Sequence, residues 1–166
     1  MPRPYGERLA QYRSLLGEDP ALAPLSPNLA PGDPVGAVAG LVLAPALGGL
    51  IFGYEVSRAL GKRFIYCERK EGVMTLRRGF RVGEGSRVLV VEDTVSTGGS
   101  VREVMEIVRA GGGSVVQVAA LVDRTRGRVD FGVPFTALCQ ADVNLYPAGE
   151  CPLCQAGVPL DPPRNG

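Results

Sequence analysis

Two adjacent carboxylates, Glu92 and Asp93, stand between an apolar run, Val88 to Val91, and a loop of hydroxyls and glycines, Thr94-Val95-Ser96-Thr97-Gly98-Gly99-Ser100. Carboxylates at the end of a strand can accept hydrogen bonds from neighbouring sugar hydroxyls. The loop after them can hold a phosphate, because backbone N–H groups at a helix N-terminus converge on an anion and the helix dipole favours it. Gly98 and Gly99 let the backbone bend close to a ligand. Thr94, Ser96, Thr97 and Ser100 add hydroxyl donors. The segment therefore reads as a grip for a ribose 5-phosphate. It is not a P-loop, since no Gly-Lys-Ser/Thr ending follows. Taken alone, it could also be an ordinary strand and turn with a solvated acidic tip.

The rest of the composition narrows the chemistry. The chain has 166 residues with neither histidine nor tryptophan. Histidine base catalysis and His-ligated metals are thereby excluded. Carboxylates, lysine, arginine, hydroxyls and backbone remain, which suits a reaction run by positioning and charge stabilisation. Glu92 and Asp93 could anchor Mg²⁺, directly or indirectly, since that ion takes hard oxygens and keeps waters and substrate phosphates in its shell. The formal net charge is +1, which gives no bulk case for nucleic acid or membrane partners. The apolar stretch from Val35 to Phe52 is interrupted by Gly36, Gly40, Pro45, Gly48 and Gly49, so it does not read as a membrane span. No apolar signal segment follows the first residues, and a cytoplasmic protein is the expectation. Cys151-Pro-Leu-Cys154 is a single C-x-x-C, which reads first as reduced cysteines packing a C-terminal turn. Redox chemistry, or a zinc site completed by another subunit, are the minority readings.

These groups need a scaffold. Arg8 to Leu16 has helical spacing, and Asp19 to Pro34 is a proline-rich connector. Ala39 to Ala44 reads as a buried strand, Pro45 to Gly49 as a turn, and Leu50 to Leu60 as a helix closed by Gly61. Phe64 to Cys67 is the next strand. Glu68 to Ser86 is polar and basic, a mobile loop or hairpin. Val88 to Val91 is the strand before the carboxylates. Ser100 to Ala110 is a helix with Val101, Val104, Met105 and Val108 on one face. Val115 to Val122 and Phe135 to Cys139 are further strands, and the tail from Pro147 is irregular. Strands that are near-continuous apolar runs and alternate with helices predict an α/β fold, a doubly wound, mainly parallel sheet. Ligands in such sheets sit beyond the carboxyl ends of the strands. The Ala44 turn, Cys67, Asp93 and Val122 should then face one crevice. The expected domains are an N-terminal helix and connector over 1–36, a core over 37–146 and a Cys-x-x-Cys tail over 147–166.

Val-Val-Glu-Asp-Thr-Val-Ser-Thr-Gly-Gly-Ser, residues 90–100, resembles the phosphoribosyl pyrophosphate (PRPP) motif of the type I phosphoribosyltransferases, with the bacterial orotate enzymes most similar. The resemblance runs over about residues 37 to 160. It implies a flexible loop over the active site, a homodimer and Mg²⁺ as cofactor. It assigns Glu92, Asp93 and residues Thr94 to Ser100 to PRPP. It makes Ala46, Leu47 and Gly48 part of a pyrophosphate loop with a cis peptide at Ala46–Leu47, a segment that alone reads as a simple turn. Arg69 and Lys70 become contacts to pyrophosphate, with Lys70 and Asp93 as the catalytic pair and Arg77, Arg78 and Arg81 as possible additions. Without the resemblance this stretch is a solvated basic loop. Leu121-Val122-Asp123-Arg124 resembles the segment whose arginine meets the orotate carboxylate, with Ser96 also at the base edge. Otherwise Asp123 and Arg124 form a surface pair. Residues 1–36 have no clear counterpart to the family's N-terminal orotate-binding segment. Gly48 stands where a lysine is often found. The implied activity is transfer of 5-phosphoribosyl from PRPP to orotate. A purine base, or a regulator that binds PRPP without turnover, are the alternatives.

Overall fold

The structure, a computed structural model, describes residues 39–144, 146–147 and 149–159. The expected N-terminal helix and proline-rich connector lie outside the described residues. The elements are β1 (Leu41–Pro45), α1 (Gly49–Leu60), β2 (Arg63–Lys70), β3 (Val73–Leu76), β4 (Arg87–Val95), α2 (Gly99–Ala110), β5 (Ser114–Asp123), β6 (Phe135–Gln140) and a short α3 (Pro152–Gln155). They form one six-stranded sheet in the order β3-β2-β1-β4-β5-β6. Only the β2–β3 pairing is antiparallel. No described helix is long and apolar enough to cross a membrane.

Alternation along each strand decides what covers each face. Leu41, Leu43, Val88, Val90, Val118 and Ala120 point to one side and pack with Val101, Val104, Met105 and Val108 of α2. Val42, Leu89, Val91 and Ala119 point to the other and pack with Val56 and Leu60 of α1. This is the doubly wound arrangement expected of strands buried on both faces. α1 stops where the sequence predicts: Gly61 adopts φ 63° and its N–H donates to the Arg58 carbonyl.

Two expectations shift. β4 does not end at Val91 but runs on through both carboxylates to Val95, because β5 continues to pair with it as far as Val95↔Asp123. The stretch expected as a mobile loop or hairpin begins as the β2–β3 hairpin. Lys70 pairs with Val73 across Glu71 (φ 54°) and Gly72 (φ 84°). Positive φ at both central residues is the two-residue hairpin turn that matches strand twist. The rest of it packs on the α2–β5 connection, where Gly85 N–H donates to the Gly112 carbonyl at 2.8 Å and Ser114 N–H to the Ser86 carbonyl at 2.8 Å.

α1 lies very close to the sheet. A Cβ on Gly53 would stand 2.8 Å from Phe64 Cε2 and 2.9 Å from Ala44 Cβ. Helix propensity alone would make Gly53→Ala stabilising by about 1 kcal/mol. Overpacking of this kind costs about 1–3 kcal/mol, so the clash should win. Gly53→Ala is expected to lower the urea midpoint. A raised midpoint would show that the helix can lift away without cost.

Candidate functional site

The carboxyl ends of β1 and β4 lie side by side, since β1 pairs with β4 through Leu43↔Val90. The turn after β1 therefore falls on the carboxylates at the end of β4. A Cβ on Gly48 would lie 2.7 Å from Asp93 Cγ and 2.8 Å from Asp93 Oδ1, so only hydrogen fits there. Gly49 likewise has Glu92 Oε1 at 3.2 Å from where its Cβ would be. The turn is held from beneath by Ala46 N–H, which donates to the Cys67 carbonyl at 2.7 Å. The Ala46–Leu47 peptide is cis, as the resemblance implies. The residue types Pro-Ala-Leu-Gly-Gly thus answer to a steric need: the turn must sit on a carboxylate.

Asp93 and Glu92 differ in environment. Asp93 Oδ1 accepts the Thr94 backbone N–H at 2.6 Å, and Glu92 Oε1 accepts the Asp93 backbone N–H at 3.0 Å. Glu92 is buried and Asp93 half-buried. Burial first, then the hydrogen bond and charge of Asp93, push the Glu92 carboxyl up to about 8, against the opposing pull of the Asp93 N–H. In the free protein Glu92 is thus a neutral acid that can donate as well as accept.

After β4 the chain turns at Gly98 (φ 77°) into α2, with no side chain capping the helix. The first N–H groups of α2 are therefore open to a ligand. They line a cavity of about 140 Å³ bounded by Glu92 and residues 94–101. Seven of the predicted site residues, Thr94 to Ser100, are thus brought together around one hollow. A prop beneath it was not legible in the sequence. A Cβ on Gly98 would stand 2.9 Å from Phe131 and 3.0 Å from Val129, so the loop rests on those side chains. Arg102 covers the Phe131 ring at 5.3 Å and donates to the Asp130 carbonyl at 2.8 Å. No local pattern ties residues 98 and 131.

Arg124 sits at the same end of the sheet, its N–H donating to the Val95 carbonyl at 2.8 Å. Among the described residues its Nε is buried without a hydrogen-bond partner. The Asp123–Arg124 surface pair is not formed. Asp123 is buried and accepts the Thr125 N–H at 2.7 Å, closing the turn instead. Ser96 lines the cavity from the other side.

The cations of the hairpin are less simply placed. Arg69 is engaged by Glu103 of α2, NH1 to Oε2 at 2.9 Å and NH2 to Oε1 at 2.6 Å, and donates to the Gly72 carbonyl at 2.7 Å. Glu103 was not singled out by sequence, because its partner is distant along the chain. Lys70 is exposed at the end of β2. Arg77 and Arg78 face Glu68 at 3.2 and 3.6 Å, and Arg81 lends its carbonyl to Arg63. Arg69, Arg77 and Arg78 thus neutralise carboxylates in the ligand-free protein. Among the described residues, no group of three or more acidic or sulfur ligands converges as a metal cage.

Comparison with known proteins bears on this geometry. The phosphoribosyl transferase domain family matches residues 30–131. The orotate phosphoribosyltransferase of Caldanaerobacter subterraneus subsp. tengcongensis is 52% identical over 125 residues, covering 75% of this chain and 66% of that protein. The orotate phosphoribosyltransferase of Heliobacterium modesticaldum is 54% identical over 125 residues, covering 75% of this chain and 65% of that protein. The chain thus spans about two thirds of the length of these curated relatives. Among solved structures, the orotate phosphoribosyltransferase from Aeropyrum pernix aligns with a TM-score of 0.54 at 26% identity, over 77% of this chain and 76% of that one.

The buried Glu92 makes a pH prediction. Between its ordinary value of 4.5 and about 8, folded Glu92 keeps a proton that the unfolded chain has lost. Stability should then fall with rising pH over this window, by at most about 1.4 kcal/mol per pH unit from this group, and level off above it. Denaturant midpoints of wild type and Glu92→Gln from pH 5 to 9 read this directly. The difference between the two profiles should slope through the window. Parallel profiles would remove Glu92 as the source.

Proposed function

The chain belongs to the phosphoribosyl transferase domain family, and we propose that it transfers 5-phosphoribosyl from PRPP to orotate, releasing pyrophosphate and giving orotidine 5′-monophosphate for pyrimidine synthesis. The observation that carries this reading is the uncapped start of α2, preceded by two carboxylates that lie under the Ala46–Gly49 turn.

An orotate ring nitrogen attacks C1 of the ribose as the bond from C1 to the pyrophosphate oxygen breaks. Residues Thr94 to Ser100 hold the 5-phosphate by N–H groups and hydroxyls. Glu92 and Asp93 take the ribose hydroxyls while positive charge develops on the ring. The backbone of Ala46, Leu47 and Gly48 faces the pyrophosphate, and Lys70 stabilises its charge as it leaves. Arg69 joins Lys70 by exchanging Glu103 for the pyrophosphate. An exposed ion pair contributes only about 0–1 kcal/mol, so a densely charged ligand can displace it. Arg124 takes the orotate carboxylate, its free Nε adding a donor to the guanidinium fork, and Ser96 meets the base edge. No general base is required, because orotate arrives as the anion.

The donor set fits Mg²⁺ held chiefly by substrate oxygens, with Asp93 and Glu92 at its edge; two carboxylates are too few for a protein cage. Bound there, the ion would neutralise pyrophosphate charge. We also assign 1–36, 37–146 and 147–166 as N-terminal part, phosphoribosyltransferase core and tail, in a cytoplasmic homodimer. A stripe on the outer side of α1 supports the dimer: Leu47 is 82% exposed, Ile51 78% and Tyr54 55%.

Pyrophosphate release from PRPP and Mg²⁺ should require orotate and not proceed with adenine or hypoxanthine. Release with a purine alone would move the reading to that base, and PRPP binding without release to a regulator. Lys70→Ala should lower kcat about 10²-fold or more; normal turnover would remove Lys70 from the mechanism. Arg124→Ala should raise the orotate KM roughly 10- to 100-fold, the loss of a charge-assisted pair, and leave the PRPP KM near wild type. An unchanged orotate KM would void the base assignment.

A further inference from the structure

Cys151 and Cys154 have no part in the site above. The tail that carries them, expected to be irregular, forms one helical turn. Cys151 is its N-cap and Pro152 its first residue. Four backbone hydrogen bonds hold the turn without help from either thiol: Gln155 N–H to Cys151, Ala156 N–H to Pro152, Gly157 N–H to Cys154 and Val158 N–H to Leu153, each at 3.0 Å. The Gln155 side chain ties it to the Gly149 carbonyl at 2.9 Å. Residues three apart on one turn have their Cβ atoms about 5–6 Å apart, and a disulfide spans Cα atoms about 4.4–6.8 Å apart. Here the two thiols hydrogen-bond to each other. Both are open to solvent, Cys154 exposed and Cys151 half-buried. The expectation of cysteines packing a turn is therefore corrected: the turn is packed by its backbone, and the thiols face water.

We propose that Cys151 and Cys154 form a reversible dithiol–disulfide pair, with Cys151 as attacking thiol and Cys154 as resolving thiol, oxidised by a low-molecular-weight disulfide. The order of attack follows from the asymmetry of the pair. The Cys154 N–H and then its thiol donate toward Cys151 and lower its pKa, while the same thiol contact and the Cys151 charge raise that of Cys154. The Cys151 thiolate attacks one sulfur of the small disulfide and expels one thiolate, leaving a mixed disulfide. Cys154 then loses its proton, attacks Cys151 Sγ and expels the second thiolate. Two electrons pass to the external disulfide, and the two cysteine protons end on the two thiols released.

The chain carries its own controls. Cys67 is fully buried, its thiol pushed up to about 12 by desolvation, and should stay silent. Cys139 is exposed on β6 and bonds only to the Leu121 carbonyl, so it should stop at a mixed disulfide.

The full chain is equilibrated in glutathione buffers of increasing oxidised fraction, quenched in acid and mapped by peptide mass. The expected product has lost two hydrogens within the Cys151–Cys154 peptide and carries no glutathione there. Dithiothreitol should reverse it. Cys154→Ser should accumulate glutathione on Cys151, several-fold faster than Cys151→Ser accumulates it on Cys154. Glutathione on both cysteines of the wild type, or pairing of either with Cys139, would overturn the pair. Equal rates in the two single variants would overturn the order of attack. Stoichiometric zinc that survives dialysis and blocks oxidation would make the turn a metal site instead. None of these outcomes depends on the transferase reading.

Discussion

The seat of the Gly48–Gly49 turn on the carboxylates of β4 is the constraint from which the site follows. β1 and β4 are neighbours, so the turn leaving one must cross the end of the other. Only hydrogen fits between the Gly48 backbone and Asp93. The same contact shields Glu92 from water and raises its pKa. It also fixes Asp93 against the Thr94 N–H, which aims the following loop. A side chain at either glycine would disturb sugar and pyrophosphate contacts together.

Rigidity and exchangeability are divided across the site. The phosphate loop is supported by packing: Gly98 lies on Val129 and Phe131, and Arg102 clamps that ring from above. Such contacts have no alternative arrangement close in energy. The cations of the hairpin are supported by exposed ion pairs, which water and salt weaken. The part that must recognise a fixed phosphate is therefore stiff. The part that must meet a leaving group is held by bonds that can be traded.

The sheet and both helices on its faces were legible because their signals are local. Alternating burial in β1, β4 and β5, the stripe on α2 and the stop at Gly61 all follow from residue type and spacing. The residues around the phosphate cavity were legible too, since they are consecutive. The extension of β4 to Val95 was not, because it depends on the pairing partner and not on hydropathy. Glu103 opposite Arg69 and Phe131 beneath Gly98 were hidden for the same reason: each is made by the fold, between residues far apart in sequence. Asp123 was misread as one half of a surface pair because its burial is set by the turn to Thr125.

The strand order carries a consequence for how the chain acquires its site. β1, α1, β2 and β3 come first in sequence and pair locally, and β4, α2, β5 and β6 do so afterwards. The seam between these halves is the β1–β4 pairing, whose partners lie farther apart in sequence than those of any other pairing in the sheet. Closing it carries the largest loop entropy in the sheet. A nascent chain emerging N-terminus first therefore holds the glycine turn in waiting until β4 is made. Ligand recognition and completion of the core become one event, so a half-made chain has no pocket to bind with.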